Sequence, residues 1–125
     1  MNPKDMAGLR KAPLHVVPAT VLMELGCAML EGALKYGPHN WREIPVRASA
    51  YYDAAMRHLM AWWEGQDADP DSGVHHVAKA IATLVVLRDA MIHGLVEDDR
   101  PRASPEGWLD ALNRVAAEMR HGAGA

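Results

Sequence analysis

The sequence predicts an all-α fold, an antiparallel four-helix bundle preceded by an extended N-terminal arm. Apolar residues recur at helical spacing in four separate stretches. Glycine and proline punctuate the chain between them, at Gly37-Pro38, within Asp69-Pro70-Asp71-Ser72-Gly73 and at Gly94. The chain has 125 residues, half of them hydrophobic, which is the length of one domain and enough to bury a core without disulfides. Three parts follow: an arm over residues 1–17, a helical core over 18–94, and a linker with a C-terminal amphipathic helix over 95–125.

Residues 1–17 show no sustained period. Pro3 and Pro13 interrupt local structure, so the arm reads as extended. The first helix is expected from Pro18 to Tyr36, with Val21, Leu25, Ala28, Met29, Gly32 and Ala33 on one face. Gly37-Pro38 ends it, since glycine accepts a left-handed cap and proline cannot continue the helix. Glu24 and Glu31 share a side of this helix; they suit either solvated surface charge or metal binding within a bundle.

A loop follows over residues 37–47. Asn40, Trp41 and Arg42 within it suit a base edge, a stacking face and a phosphate fork. The plainer reading makes Trp41 a plug for the bundle end and Asn40 a turn residue. The second helix runs from an N-cap at Ser49 to Glu64, with Tyr52, Ala55, Met56, Leu59 and Trp63 as its apolar stripe and His58 beside it. Asp53 and Arg57 stand at i,i+4 and can pair. The third helix, Ser72 to His93, is the most apolar, with Asp71 or Ser72 as its cap and Gly94 as its stop. Residues 97–105 read as a polar linker. Ser104-Pro105-Glu106 then starts a helix carrying Trp108, Leu112, Val115 and Met119.

The densest chemistry lies between the second and third helices. Glu64, Asp67, Asp69 and Asp71 crowd together, with His58 before them and His75 and His76 after. Like charges this close repel by roughly 1 kcal/mol per pair in water. A divalent cation is the simplest offset. Because the connection is short, the helix ends are neighbours, and His58, the acidic loop and His76 can converge. Carboxylates with one or two imidazoles suit Mg²⁺ or Mn²⁺, the latter tolerating nitrogen better.

Other chemistries are disfavoured. The single Cys27 excludes an intramolecular disulfide and a cysteine-rich zinc site, and fits a reducing, cytosolic setting. Net charge near −3 supplies no basic field for nucleic acid. No segment has the apolar length of a membrane span, and the N-terminus lacks a signal-peptide core. There is no His-Asp dipeptide, no phosphate-binding glycine loop and no setting for a nucleophilic triad.

The run Gly32-Ala33-Leu34-Lys35-Tyr36-Gly37-Pro38-His39-Asn40-Trp41, followed by Tyr52, Ala55, Arg57-His58, Gly65, Asp69, Ser72-Gly73 and His76, resembles the phage and bacterial dATP/dGTP diphosphohydrolase family. That family is similar to the all-α MazG-like nucleotide pyrophosphohydrolases. The resemblance covers residues 20–90. It implies an oligomeric helical bundle, a dimer or tetramer, that cleaves a (deoxy)nucleoside triphosphate, such as dGTP or dATP, to monophosphate and pyrophosphate with Mg²⁺ or Mn²⁺. For a phage-encoded chain it implies the host cytoplasm. The sequence departs from the family's pattern at Gln66, where a glutamate is expected, and at Lys79, where histidine is frequent. The Glu-x-x-Glu and Glu-x-x-Asp metal motifs of MazG-like enzymes are also absent as such.

On this combined reading, His58, Glu64, Asp69 and His76 bind metal, with Glu31 an accessory, and Glu64, Asp69 and His76 are catalytic. Lys35 and Arg57 neutralise phosphate charge, and Asn40 and Trp41 contact the base. Two rivals stand beside it: a catalytically inactive nucleotide-sensing bundle, suggested by Gln66 and Lys79, and a helical interaction module built on Trp62, Trp63 and Trp108.

Overall fold

The computed structural model of the chain describes residues 1–124. It is mostly helical, in the order α1 (Pro3–Gly8), α2 (Ala19–Tyr36), a 3₁₀ turn (Asn40–Arg42), β1 (Val46–Arg47), α3 (Ala48–Trp63), α4 (His76–Ile92), β2 (Val96–Glu97) and α5 (Trp108–Gly122). Three helices form the body: α4 packs most extensively on α3 and then on α2. α3 and α4 run antiparallel, since His58 meets His76 at one end and Tyr51 packs on the cluster of Trp41, Val46 and Ala90 at the other, while Glu31 of α2 meets Lys79 of α4.

Several expectations change. The expected four-helix bundle is here a three-helix body, because α5 makes no comparable contact with it. The apolar residues of α5, Trp108, Leu109, Leu112, Val115 and Met119, stay exposed. The N-terminal arm is not wholly extended. Asn2 accepts the Lys4 N–H at 2.7 Å, Pro3 stands in the first turn where its missing N–H costs nothing, and Asp5 faces the helix dipole. Pro3 thus starts a short helix instead of breaking one.

A two-stranded parallel sheet is added. Val46 pairs with Val96 and Arg47 with Glu97. Ser49 is not the N-cap of α3. Its backbone N–H donates to Asp99 Oδ1 at 2.8 Å and its hydroxyl to Asp99 Oδ2, so a carboxylate from the expected linker serves the exposed amides of that helix start. α4 begins four residues later than expected, because residues 69–74 are used in the loop, and His75 Nδ1 caps it by accepting the Val77 N–H at 3.1 Å.

The core sits at the end of α4 away from the acidic loop. Trp41, Val46 and Ala90 are buried there, with Met29, Tyr51, Val86, Leu87 and Val96 around them. Trp41 Nε1–H donates to Asp89 Oδ2 at 2.7 Å, and Arg42 grips both oxygens of the same carboxylate at 2.8 and 3.0 Å. Arg42, and after it Trp41, holds the Asp89 carboxyl well below the usual carboxylate range.

Asp89→Asn will therefore lower the melting temperature at neutral pH. The sign with pH follows from linkage. The folded Asp89 has a depressed pKa, so its stabilisation is present above the unfolded value, near 4, and is lost as pH falls. Thermal melts followed by circular dichroism from about pH 5 downward will show a shallower acid loss in Asp89→Asn than in the wild type.

Candidate active site

The loop between α3 and α4 is held by its own residues. Asp69 Oδ1 accepts the Asp71 N–H at 2.9 Å, Asp69 C=O accepts the Gly73 N–H at 2.7 Å, and Ser72 Oγ accepts the Val74 N–H at 3.2 Å. Gly73 adopts φ +75°, a conformation that costs a side chain about 1–2 kcal/mol. Ala68 and His75 form a single antiparallel bridge, and the His76 N–H donates to Asp67 C=O at 2.8 Å. These bonds set the first residue of α4, His76, against α3.

His76 is buried, at 5% exposure. Its Nε2 lies 2.6 Å from Gln66 Oε1 and its Nδ1 lies 2.9 Å from His58 Nδ1. An amide oxygen only accepts, so His76 Nε2 carries the proton and donates. His76 Nδ1 is then an acceptor, and His58 Nδ1–H donates to it. Burial first, then the Lys79 charge and His76, hold His58 below the ordinary histidine range; Arg57 adds to this. His58 is neutral at neutral pH, as a metal ligand must be.

Asp69 completes a group of three. One donor atom from each of His58, Asp69 and His76 lies within 4.8 Å of the others. The two Nδ1 atoms, 2.9 Å apart, would both serve as donors once the His58 proton moves from Nδ1 to Nε2. Two nitrogens and a carboxylate form a donor set for a nitrogen-tolerant ion such as Mn²⁺ more than for Mg²⁺. The residues therefore fit one divalent ion.

The remaining expected residues separate. Glu31 reaches this group only through Lys79, at 3.4 Å, and pairs with Lys35 at 2.7 Å. The two lysines hold its carboxyl below the usual range, Lys35 more strongly. Arg57 is exposed beside His58 and forms no ion pair among the described residues, so the expected pair with Asp53 is not made. Glu64 is exposed at the C-cap of α3, outside the group of three, and its carboxylate has no partner among the described residues. Asn40 and Trp41 do not converge with the histidines. Trp41 is bound to Asp89, thirteen positions along α4 from His76, or about 20 Å at 1.5 Å per residue. Its ring is buried, so it plugs the core and offers no stacking face there.

Two residues read in the sequence only as departures prove central. Gln66 sets the His76 tautomer, and Lys79 binds Asp69 at 3.0 Å. Lys79 lies three residues after His76, on the same helical side, and that spacing was the available signal.

Two outcomes follow for the imidazoles. Long-range ¹H–¹⁵N NMR will show His76 protonated at Nε2 and His58 at Nδ1, and Gln66→Leu will mix the His76 tautomers. His58 has a depressed folded pKa, so acidification below its unfolded value, about 6.5, will destabilise the fold, and His58→Gln will remove that part of the loss in pH-dependent melts.

A family model described as "dATP/dGTP diphosphohydrolase, N-terminal" matches residues 1–100. A protein of Salmonella phage PMBT28 named "dATP/dGTP diphosphohydrolase" is 29% identical over 90 residues, covering 72% of this chain and 30% of that protein. The chain thus spans about a third of the length of the curated relative it matches. No solved structure matches. The matched region contains the 3₁₀ turn, α3, the acidic loop and all of the His58, Asp69 and His76 group, and the chain belongs to the dATP/dGTP diphosphohydrolase family, over that family's N-terminal region.

Proposed function

We propose that this chain hydrolyses a (deoxy)nucleoside triphosphate, a purine deoxynucleotide such as dGTP or dATP, to the monophosphate and pyrophosphate. The observation that carries the reading is the convergence of His58, Asp69 and His76 inside the family-matched region. The relative's printed name supplies the substrate class.

His58, Asp69 and His76 would hold a divalent ion, Mn²⁺ or Mg²⁺. Bound there, such an ion polarises phosphate oxygens and lowers the pKa of water. The chain's own residues do the rest. A carboxylate oxygen or imidazole nitrogen of this group that the ion does not occupy would instead receive the proton of a water attacking the α-phosphate. Lys35, exposed and paired with Glu31, and Arg57, exposed beside His58, would bring positive charge toward the triphosphate. Gln66 keeps His76 in one tautomer, so its Nδ1 faces His58.

A second reading, nucleotide binding without turnover, is favoured by one contact. Lys79 already neutralises Asp69, at 3.0 Å. Product analysis separates the two. Incubation with a panel of NTPs and dNTPs in Mn²⁺, in Mg²⁺ and in EDTA will yield monophosphate and pyrophosphate, lost in EDTA. Diphosphate and phosphate would overturn the reaction assigned, and tight binding without product would favour the second reading. His76→Ala will lower turnover by about a hundredfold or more while helical content is kept.

We also propose that a homo-oligomer, dimer or tetramer, completes the fold. Among the described residues no large side chain is fully buried, while Leu34, Tyr52, Met60, Trp63 and Ile92 are widely exposed. Apolar surface on this scale marks an interaction face. Sedimentation equilibrium will give a mass of two or four chains, and Trp63→Glu, which charges one of these exposed apolar residues, will shift it toward one. Among the described residues no helix is long and apolar enough to cross a membrane.

A further inference from the structure

The acidic loop needs a positive partner, and the chain carries one. The Lys79 ammonium lies 3.0 Å from Asp69 Oδ2, 3.3 Å from Ser72 Oγ and 3.4 Å from Glu31 Oε2, with its side chain only 14% exposed. It therefore joins the loop, α2 and α4 at one atom. Glu31 is also paired with Lys35, through its other oxygen. Two carboxylates thus meet two ammonium groups, and the cluster is charge-balanced with no metal ion.

The same geometry bears on ion binding. Asp69 Oδ1 accepts the Asp71 N–H, and Asp69 Oδ2 is held by Lys79. An ion joining Asp69 to the two imidazoles must share that carboxylate with an ammonium, and the two cations repel. We propose that Lys79 is a tethered cation that governs ion binding at this site: it holds Asp69 and Glu31 in place of a divalent ion, and an ion reaches His58, Asp69 and His76 only in competition with it. Metal affinity is then set by the charge at position 79 more than by the number of donors.

The inference takes the identity of the site from the hydrolase reading, yet its test contains no nucleotide, so either can fail alone. Free Mn²⁺ is followed by electron paramagnetic resonance during titration of the wild type, Lys79→Met and Lys79→Arg. Lys79→Met keeps the apolar stem and removes the charge; it will bind Mn²⁺ about tenfold tighter or more. Lys79→Arg keeps the charge and will stay within about twofold of the wild type. Asp69→Asn in the Lys79→Met background will abolish the gain. Equal affinity in Lys79→Met and wild type, or no binding by either, overturns the proposal.

A measurement on the wild type decides the matter if Lys79→Met loses helical content. Acetylation of each lysine by acetic anhydride is read by mass spectrometry with and without Mn²⁺. Displacement from Asp69 will free the ammonium, so Mn²⁺ will speed acetylation at Lys79 severalfold and leave Lys4 and Lys11 unchanged. An unchanged rate at Lys79 overturns the proposal.

Discussion

The close approach of α3 and α4 is the contact on which the rest depends. The buried positions of these two helices are alanines, Ala48 and Ala55 on one and Ala78, Ala80 and Ala90 on the other, with His76 the one polar exception. Small side chains let helix axes draw near. That nearness brings two imidazoles from separate helices to 2.9 Å without a large side chain between them. Bulky residues at these positions would part the helices and the histidines together, so the packing of the body and the geometry of the site are one constraint.

The two ends of the helix pair are secured by different chemistry. At the far end, Asp89 binds Trp41 and Arg42 and ties the 3₁₀ turn to α4, while β1 and β2 close the same end. At the near end the securing contacts are polar. The loop is held by backbone bonds to Asp69 and Asp67 and by the Lys79 contacts. A polar, self-bonded loop over an apolar body leaves donors gathered and partly exposed.

Much of the fold was legible from local pattern. The extent of α2, the turn after Trp63 and the stop at Gly94 follow from helical spacing and from glycine and proline, which act over a few residues. The convergence of His58 with His76 was legible too, because a short connection makes the helix ends neighbours. The start of α4 was not, since the loop used Asp71 and Ser72 for its own bonds and left capping to His75. Nor was the separation of Trp41 from the site, because its partner Asp89 stands forty-eight residues away in sequence.

The sequence by itself determined the four longer helices, apart from the start of α4, and with them the acidic loop, the pairing of histidines across it and the family. These are properties of residue type and short spacing. Only the tertiary structure decided which charges meet. It set Glu64 apart at a helix end, brought Gln66 onto His76, and placed Lys79 between Asp69 and Glu31. Electrostatic energy falls with distance between groups that the chain order does not relate, so the balance of a site is known only once its helices are packed.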